Sequence, residues 1–528
     1  MSVAETVTGR LSGAQALVAA LELEGVRHFF GVPGHGAYPI YDALNDFPSI
    51  VPVVGRNEQG SFFTADGYAR ATDDVAVVTS VPLAGVTNAA TSIWEANGHG
   101  SRLLYLIEED PMHEAFLRPI VSHYRHAHQV AEIAPTVHDL FHELRTGRPG
   151  VAVLEVPNGV LHARALADPG DGLGRRRPLR VDEARIDEAV RLLSEARRPA
   201  ICADGYAWNR KSSEALTRIA EKLQAPVLIG SLSKGAIADD HPLCLGMNWN
   251  VAGHAGRMLA EADVVLAIGA RSGMATGGRS AEKLAQQLIH VDWDGVQQGP
   301  SAPARLQLNG PIAAILESIA ERAAPRPESF WEPATLAAIR DAYAAYGRGY
   351  CPRIFPVLDA LRAALPRDAM LCTDSLVGLW AQRLFPAYAP ATVHFPWATG
   401  TLGHGVAAGV GMALADPNRV IACLGGDGAF LYNSQELAAM MHYQRKLIVI
   451  VANDSTYSAI KFNLTNNFGR AIAYELTNPD LVKLGEAYGM RGVRLSSPDE
   501  IGPAVRDAVA ADRSTLIDLP LQLLPPHA

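Results

Sequence analysis

Long apolar runs are missing from this chain. None reaches the roughly 18 residues that a helix needs to cross a bilayer, which excludes a helical membrane span. Paired cysteines are missing too. Cys202, Cys244, Cys351, Cys372 and Cys423 show no C-x-x-C spacing and several fall in apolar segments, so buried free thiols are expected rather than disulfides. There is no H-E-x-x-H, and His123, His126 and His128 lack a helical metal-pair spacing with a third ligand, so zinc is not expected there. No basic stripe is sustained, and a net charge of −9 argues against nucleic acid as a partner. The only tight basic cluster, Arg175 to Arg177 before Pro178, lies in a Pro/Gly-rich stretch that reads as a linker. The opening MSVAETVTGRLSGAQALVAALELEGV reads as an amphipathic helix carrying acids, without a basic region, apolar core and cleavage site, so a cytoplasmic enzyme is expected.

What is present is a globular composition, 48% hydrophobic and 19% charged, over 528 residues, too long for one core. Linkers at 166–185 and 323–333 divide it. The expected domains are 1–165, 186–325 and 340–528. In each, short apolar strands alternate with helices, which predicts α/β architecture with three doubly wound parallel sheets. The first has a helix over 12–24, strands at 26–30, 50–54 and 75–79, and a last strand within 148–157. The second has strands at 199–202, 226–229, 263–269 and 288–292, with no G-x-G-x-x-G to decide whether it holds a nucleotide. In the third, a strand over 370–373 ends at Asp374, and strands over 420–424 and 447–451 flank a helix over 434–443.

The rest of the chain is organised around Gly425-Gly426-Asp427-Gly428 and Asn453-Asp454, which close those last two strands. Parallel sheets bind ligands beyond the carboxyl ends of their strands. Glycines there let the backbone approach a bulky anion, and a helix start favours a diphosphate. An Asp at each of two adjacent strand ends supplies hard oxygen ligands for Mg2+. No Walker lysine is present, so the metal would carry much of the charge neutralisation. A lone GDG is also an ordinary turn. Gly403-His404-Gly405-Val406-Ala407-Ala408 fits a G-x-G-x-x-A dinucleotide pattern, but Pro396 spoils the strand that should precede it.

Asn453 follows Gly428 after 24 residues, and this resembles the thiamine-diphosphate motif. The resemblance extends along nearly the whole chain to the family of acetolactate synthase, benzoylformate decarboxylase and pyruvate decarboxylase. It implies thiamine diphosphate and Mg2+ as cofactors, with metal ligands Asp427, Asp454 and the Thr456 carbonyl. Asp454 replaces the family's usual amide. Gly426, Gly428, Ala429, Asn453, Tyr457 and Asp374 are expected at the cofactor, and Leu402, in Gly400-Thr401-Leu402-Gly403, would wedge between its rings. In Arg56-Asn57-Glu58-Gln59, running to Gly67-Tyr68-Ala69-Arg70, Glu58 reads by itself as a helix-dipole partner. By resemblance it is the catalytic Glu that hydrogen-bonds the pyrimidine ring, in an apolar slot that favours its neutral form. Family members take this Glu and the diphosphate motif from different subunits, which implies a homodimer or homotetramer.

Two departures stand out. Ser80-Val81-Pro82-Leu83-Ala84-Gly85 replaces the family's Gly-Pro-Gly turn with branched residues that avoid positive φ. The stretch from Glu108 to Ile120 is shorter by roughly ten residues than a loop that in relatives bears a Gln or His pair near the substrate. His35, His113 and His123 are possible substitutes, with His35 favoured for its Gly-flanked turn. Ala270-Arg271-Ser272-Gly273 lacks a further arginine that acetolactate synthases use. The expected function is non-oxidative decarboxylation of a 2-oxoacid, or carbon–carbon ligation, on thiamine diphosphate, with FAD left open. Cleavage of a diketone or acyloin on the same cofactor, and a non-catalytic scaffold or regulatory subunit, are the alternatives.

Overall fold

The structure is a computed structural model that describes residues 9–170, 181–205, 209–247, 258–259, 261–269, 286–294 and 304–523. The basic cluster at Arg175 and the segment from Ala270 to Gly273 lie outside the described residues. Strand β1 (Gly9–Ser12) pairs antiparallel with β8 (Arg164–Ala167). The first six-stranded parallel sheet takes β2 (His28–Gly31), β3 (Val51–Val54), β4 (Ala76–Thr79), β5 (Leu103–Glu108), β6 (His123–His126) and β7 (Val151–Val156) in the order β3-β2-β4-β5-β7-β6. The chain winds one way from β2 to β3 and the other way to β4. Such a reversal opens a crevice at the carboxyl ends of the two strands where it occurs.

The middle sheet is β9 (Pro199–Ala203), β10 (Val227–Ile229), β11 (Cys244–Met247), β12 (Val264–Ile268), β13 (Leu288–Asp292) and β14 (Leu306–Asn309), ordered β11-β10-β9-β12-β13-β14. That is the strand order of dinucleotide-binding folds. The helix Pro333–Tyr350 packs Leu336 and Ile339 into this domain's core. The third sheet, β15 (Met370–Thr373), β16 (Val393–His394), β17 (Ile421–Gly426), β18 (Ile448–Ala452), β19 (Arg491–Arg494) and β20 (Thr515–Leu519), runs β16-β15-β17-β18-β20-β19. It repeats the topology of the first sheet, with its reversal between β15 and β17. All five cysteines are buried and free.

First and third domains share one core. Phe62, Val86 and Tyr105 belong to the same apolar cluster as Val406, Met412, Leu437 and Val449. Helix Glu58–Thr72 lies directly on helix His404–Ala415, at a separation only glycine permits. A Cβ on Gly411 would stand 1.8 Å from the Thr64 carbonyl oxygen, and one on Gly67 2.0 Å from that of Ala408. Of the G-x-G-x-x-A stretch, Ala408 lies in this contact, Gly405 packs beside Asp374, and His404 is fully buried against Asp66, Nε2 to Oδ2 at 3.1 Å. Burial alone would raise the Asp66 carboxyl, but Arg70 and His404 beside it hold it well below the usual range.

Candidate active site

Beside the third sheet's reversal, buried Asp427 follows β17, and Asn453-Asp454 follows its other neighbour, β18. Asp427 Oδ1 accepts from Gly428 N at 2.9 Å, and Oδ2 from Asn478 Nδ2 at 2.5 Å. Asp454 Oδ2 accepts from Ser458 Oγ at 2.5 Å and Leu523 N at 3.1 Å. Its Oδ1 is buried with no partner. Burial pushes the Asp454 carboxyl up, and the neighbouring charge of Asp427 adds to the rise. A hard divalent cation between these two carboxylates would relieve both effects, so the donor set fits Mg2+. The Thr456 carbonyl accepts from Ser458 N at 2.9 Å, leaving one lone pair. Asn453 Nδ2 is committed to Asp518 Oδ1 at 2.9 Å, which ties this turn to β20. Tyr457 covers the glycine turn: a Cβ on Gly428 would meet its ring at 2.5 Å.

Across the crevice Asp374 is buried, and burial pushes its acid up to about 6, against the pull of neighbouring amides and His404. Asp374 Oδ2 accepts from Gly403 N at 2.8 Å and Gly405 N at 3.1 Å, while Oδ1 has no partner. These bonds fix the turn that presents Leu402. Gly400 at φ +64° and Gly403 at φ +89° flank it, and Leu402 is half-buried rather than a core side chain. The next residue after Asp374, Ser375, accepts from Gly426 N at 3.0 Å.

In the first domain Asn57 caps helix Glu58–Thr72, accepting from Gln59 N at 2.8 Å. Glu58, its first residue, is half-buried. Its Oε2 accepts from Asn88 Nδ2 at 3.1 Å, and within the single chain it is only partly covered. Gln59 Oε1 reaches Asn433 Nδ2 at 3.3 Å. Three non-glycine residues at positive φ mark the surrounding strand-end turns: Leu83 after β4, Ser375 after β15 and Ser455 after β18, at +53°, +54° and +52°. Backbone strain of this kind persists where the surroundings over-determine it.

The histidines separate. His35 stands at the crevice, its side chain 81% exposed, with Nδ1 3.6 Å from Glu108 Oε2. His123 begins the edge strand β6, away from the carboxyl edge, and pairs with Glu143. His113 is buried under the turn at Leu83. His126, His128 and Glu109, just past β5, bring one side-chain nitrogen or oxygen each to within 4.8 Å of one another, a partly exposed grouping of a kind common without any ion. Asn88, Ser375 and Asn478 were not among the expected site residues. Each is a common polar residue far along the chain from the group it touches.

Residues 11–133 match the family described as "Thiamine pyrophosphate enzyme, N-terminal TPP binding domain", 186–319 its central domain, and 376–519 its C-terminal TPP binding domain. The chain is 29% identical over 554 residues to the probable acetolactate synthase large subunit of Methanocaldococcus jannaschii, covering 98% of this chain and 93% of that protein. It is 31% identical over 529 residues to the probable 2-ketoarginine decarboxylase AruI of Pseudomonas aeruginosa, covering 96% and 94%. With acetolactate synthase isozyme 1 large subunit of Escherichia coli the identity is 26% over 470 residues, covering 85% and 83%. Three matched domains in order and a relative aligned almost end to end, on a chain whose two outer sheets open crevices at their reversals, establish that it belongs to the thiamine-pyrophosphate-dependent enzymes.

Proposed function

We propose that this enzyme decarboxylates a 2-oxoacid without oxidation, or joins the resulting fragment to a second carbonyl, in the manner of acetolactate-synthase-like members of its family. The observation that carries the reading is the pair Asp427 and Asp454, adjacent at the third sheet's reversal, with one buried carboxylate oxygen lacking any partner. Asp427, Asp454 and the Thr456 carbonyl would hold Mg2+, and the metal would hold the diphosphate. Thiamine diphosphate, when bound, supplies a carbon nucleophile able to store the electron pair released as carbon dioxide leaves.

The chain's own groups orient and move protons. Glu58 Oε1, the oxygen that Asn88 leaves free, would hold the proton exchanged with the cofactor's ring. Leu402, fixed through Asp374, would bend the cofactor by bulk alone. Glu58 is half-buried, and helix Ala84–His99, whose Asn88 bonds it, follows exposed Leu83, 53%, and carries exposed Trp94, 57%. A second copy covering it would exclude water and complete the site, giving a homodimer or a higher even assembly.

The test is incubation with simple 2-oxoacids, thiamine diphosphate and Mg2+, with carbon dioxide assayed. Turnover is expected, and Glu58→Gln should lower kcat by roughly 100- to 10,000-fold. Carboxylic acid from a diketone, with no carbon dioxide from any 2-oxoacid, would overturn the assignment.

A further inference from the structure

The two departures from the family pattern meet at one hydrogen bond. Leu83 precedes helix Ala84–His99 at φ +53°, ψ −85°, a backbone region that branched side chains avoid. Its amide, at a helix start, has no partner within the helix. The shortened connection from Glu108 to Ile120 supplies one. Asp110 Oδ1 accepts from Met112 N at 2.9 Å, and the Asp110 carbonyl accepts from His113 N at 3.1 Å. That tight turn sets the His113 ring, 2% exposed, beneath Leu83. Leu83 N donates to His113 Nε2 at 3.0 Å, and Nδ1 lies 2.9 Å from Oε1 of Glu155, itself 1% exposed. The partners fix the tautomer. A backbone N–H only donates, so Nε2 carries the lone pair and Nδ1 the proton, which points at Glu155.

We propose that His113 is a positioning residue for the substrate pocket: aligned by Glu155, it holds Leu83 in its strained turn, so that the Leu83 side chain forms the wall that selects 2-oxoacids by side-chain size. The proposal rests on the reaction assigned above. Its geometry comes from the sheet. The reversal between β2 and β4 opens the crevice here, and Gly34 approaches this turn so closely that a Cβ on it would meet Val81 Cγ1 at 2.2 Å. Leu83, 53% exposed, leads directly into the helix whose Asn88 bonds Glu58. Neither departure accounts for this alone. A branched turn without the shortened connection would leave the Leu83 amide without its partner, and the connection without that turn would leave His113 with nothing to hold.

His113→Asn and His113→Gln separate this role from a purely structural one. Gln reaches far enough for its carbonyl oxygen to accept from Leu83; Asn reaches only toward Glu155. Hydrogen–deuterium exchange across residues 80–87 should quicken about three- to tenfold in His113→Asn, the loss of one hydrogen bond, and stay near wild type in His113→Gln. The ratio of kcat/KM between a long and a short 2-oxoacid should shift about fivefold or more in His113→Asn only. Thiamine diphosphate binding, followed by calorimetry, should stay unchanged in both. Unchanged exchange in His113→Asn, or equal effects of both variants, would overturn the proposal. Should His113→Asn not fold, the wild-type Leu83 amide decides: slow exchange supports the bond and fast exchange refutes it. If the wild type turns over no 2-oxoacid, the assigned reaction fails while the exchange result still judges the hold on Leu83.

Discussion

By resemblance to the family, Asp454 stands where an amide is usual, and in the proposed metal site that exchange would change the electrostatics more than the shape. A second carboxylate strengthens the attraction for Mg2+ and adds repulsion toward a diphosphate. Asp454→Asn should therefore weaken Mg2+ binding to the cofactor-free protein by about tenfold. Thiamine diphosphate affinity at saturating Mg2+ should hold or rise. Two-step calorimetry measures both, and an unchanged Mg2+ affinity would remove Asp454 from the ligand set. A second residue, Glu436, bears on stability. It accepts from Arg56 N at 3.1 Å across the interface of first and third domains, and burial pushes its acid from 4.5 up to about 7. The fold favours the neutral form, so the contribution is complete below about pH 4.5. It is lost as pH rises toward 7, by roughly 2–4 kcal/mol in all. Glu436→Gln should flatten that part of the stability profile and melt higher than wild type above pH 7. Parallel melting curves from pH 5 to 8 would contradict the assignment.

Among elements, many of those with an apolar interior were legible. The runs ending at Gly426 and Asn453 are buried strands, and Ser12 caps the first helix with Gln15 completing a capping box. The helix expected over 434–443 divides into a 3-10 turn, Ser434–Glu436, and a helix, Leu437–His442, as Glu436 turns inward to Arg56. The buried central strands β5 and β20 went unread despite their apolar runs, and so did the edge strands β6, β11, β14, β16 and β19. The edge strands are short, several carry polar residues, and pairing on one side only demands no continuous apolar run. Strand order has no local signal at all, so neither the matched topology of the outer sheets nor the middle sheet's dinucleotide-type order could be read. At the site, the glycine turn and its acids were legible, whereas Asn478 and His113 act through contacts that only folding creates. The helix pair yields a prediction of its own. Gly411→Ala places a methyl group against the Thr64 carbonyl and should destabilise by roughly 1–3 kcal/mol. Gly349→Ala, in the last turn of helix Pro333–Tyr350 with open space around it, should stabilise by at most about 0.5–1 kcal/mol. Thermal melts of the two check the sign.

For the whole molecule, the shared core of first and third domains fixes Glu58 relative to its own chain and leaves its carboxyl facing outward. No described helix is long and apolar enough to cross a membrane. Exposed Leu83 and Trp94 would be met by a second copy if the active site lies between chains, with Glu58 from one protomer and Asp427 from the other. Co-expression of Glu58→Gln and Asp427→Asn chains, each inactive alone, with recovery of mixed dimers through two different tags, tests this most directly. One of the two sites in each mixed dimer would then be intact, so about half the wild-type turnover is predicted. Mixed dimers as inactive as their parents would show that both residues serve one site from a single chain, and full activity in either parent would contradict the role given to that residue.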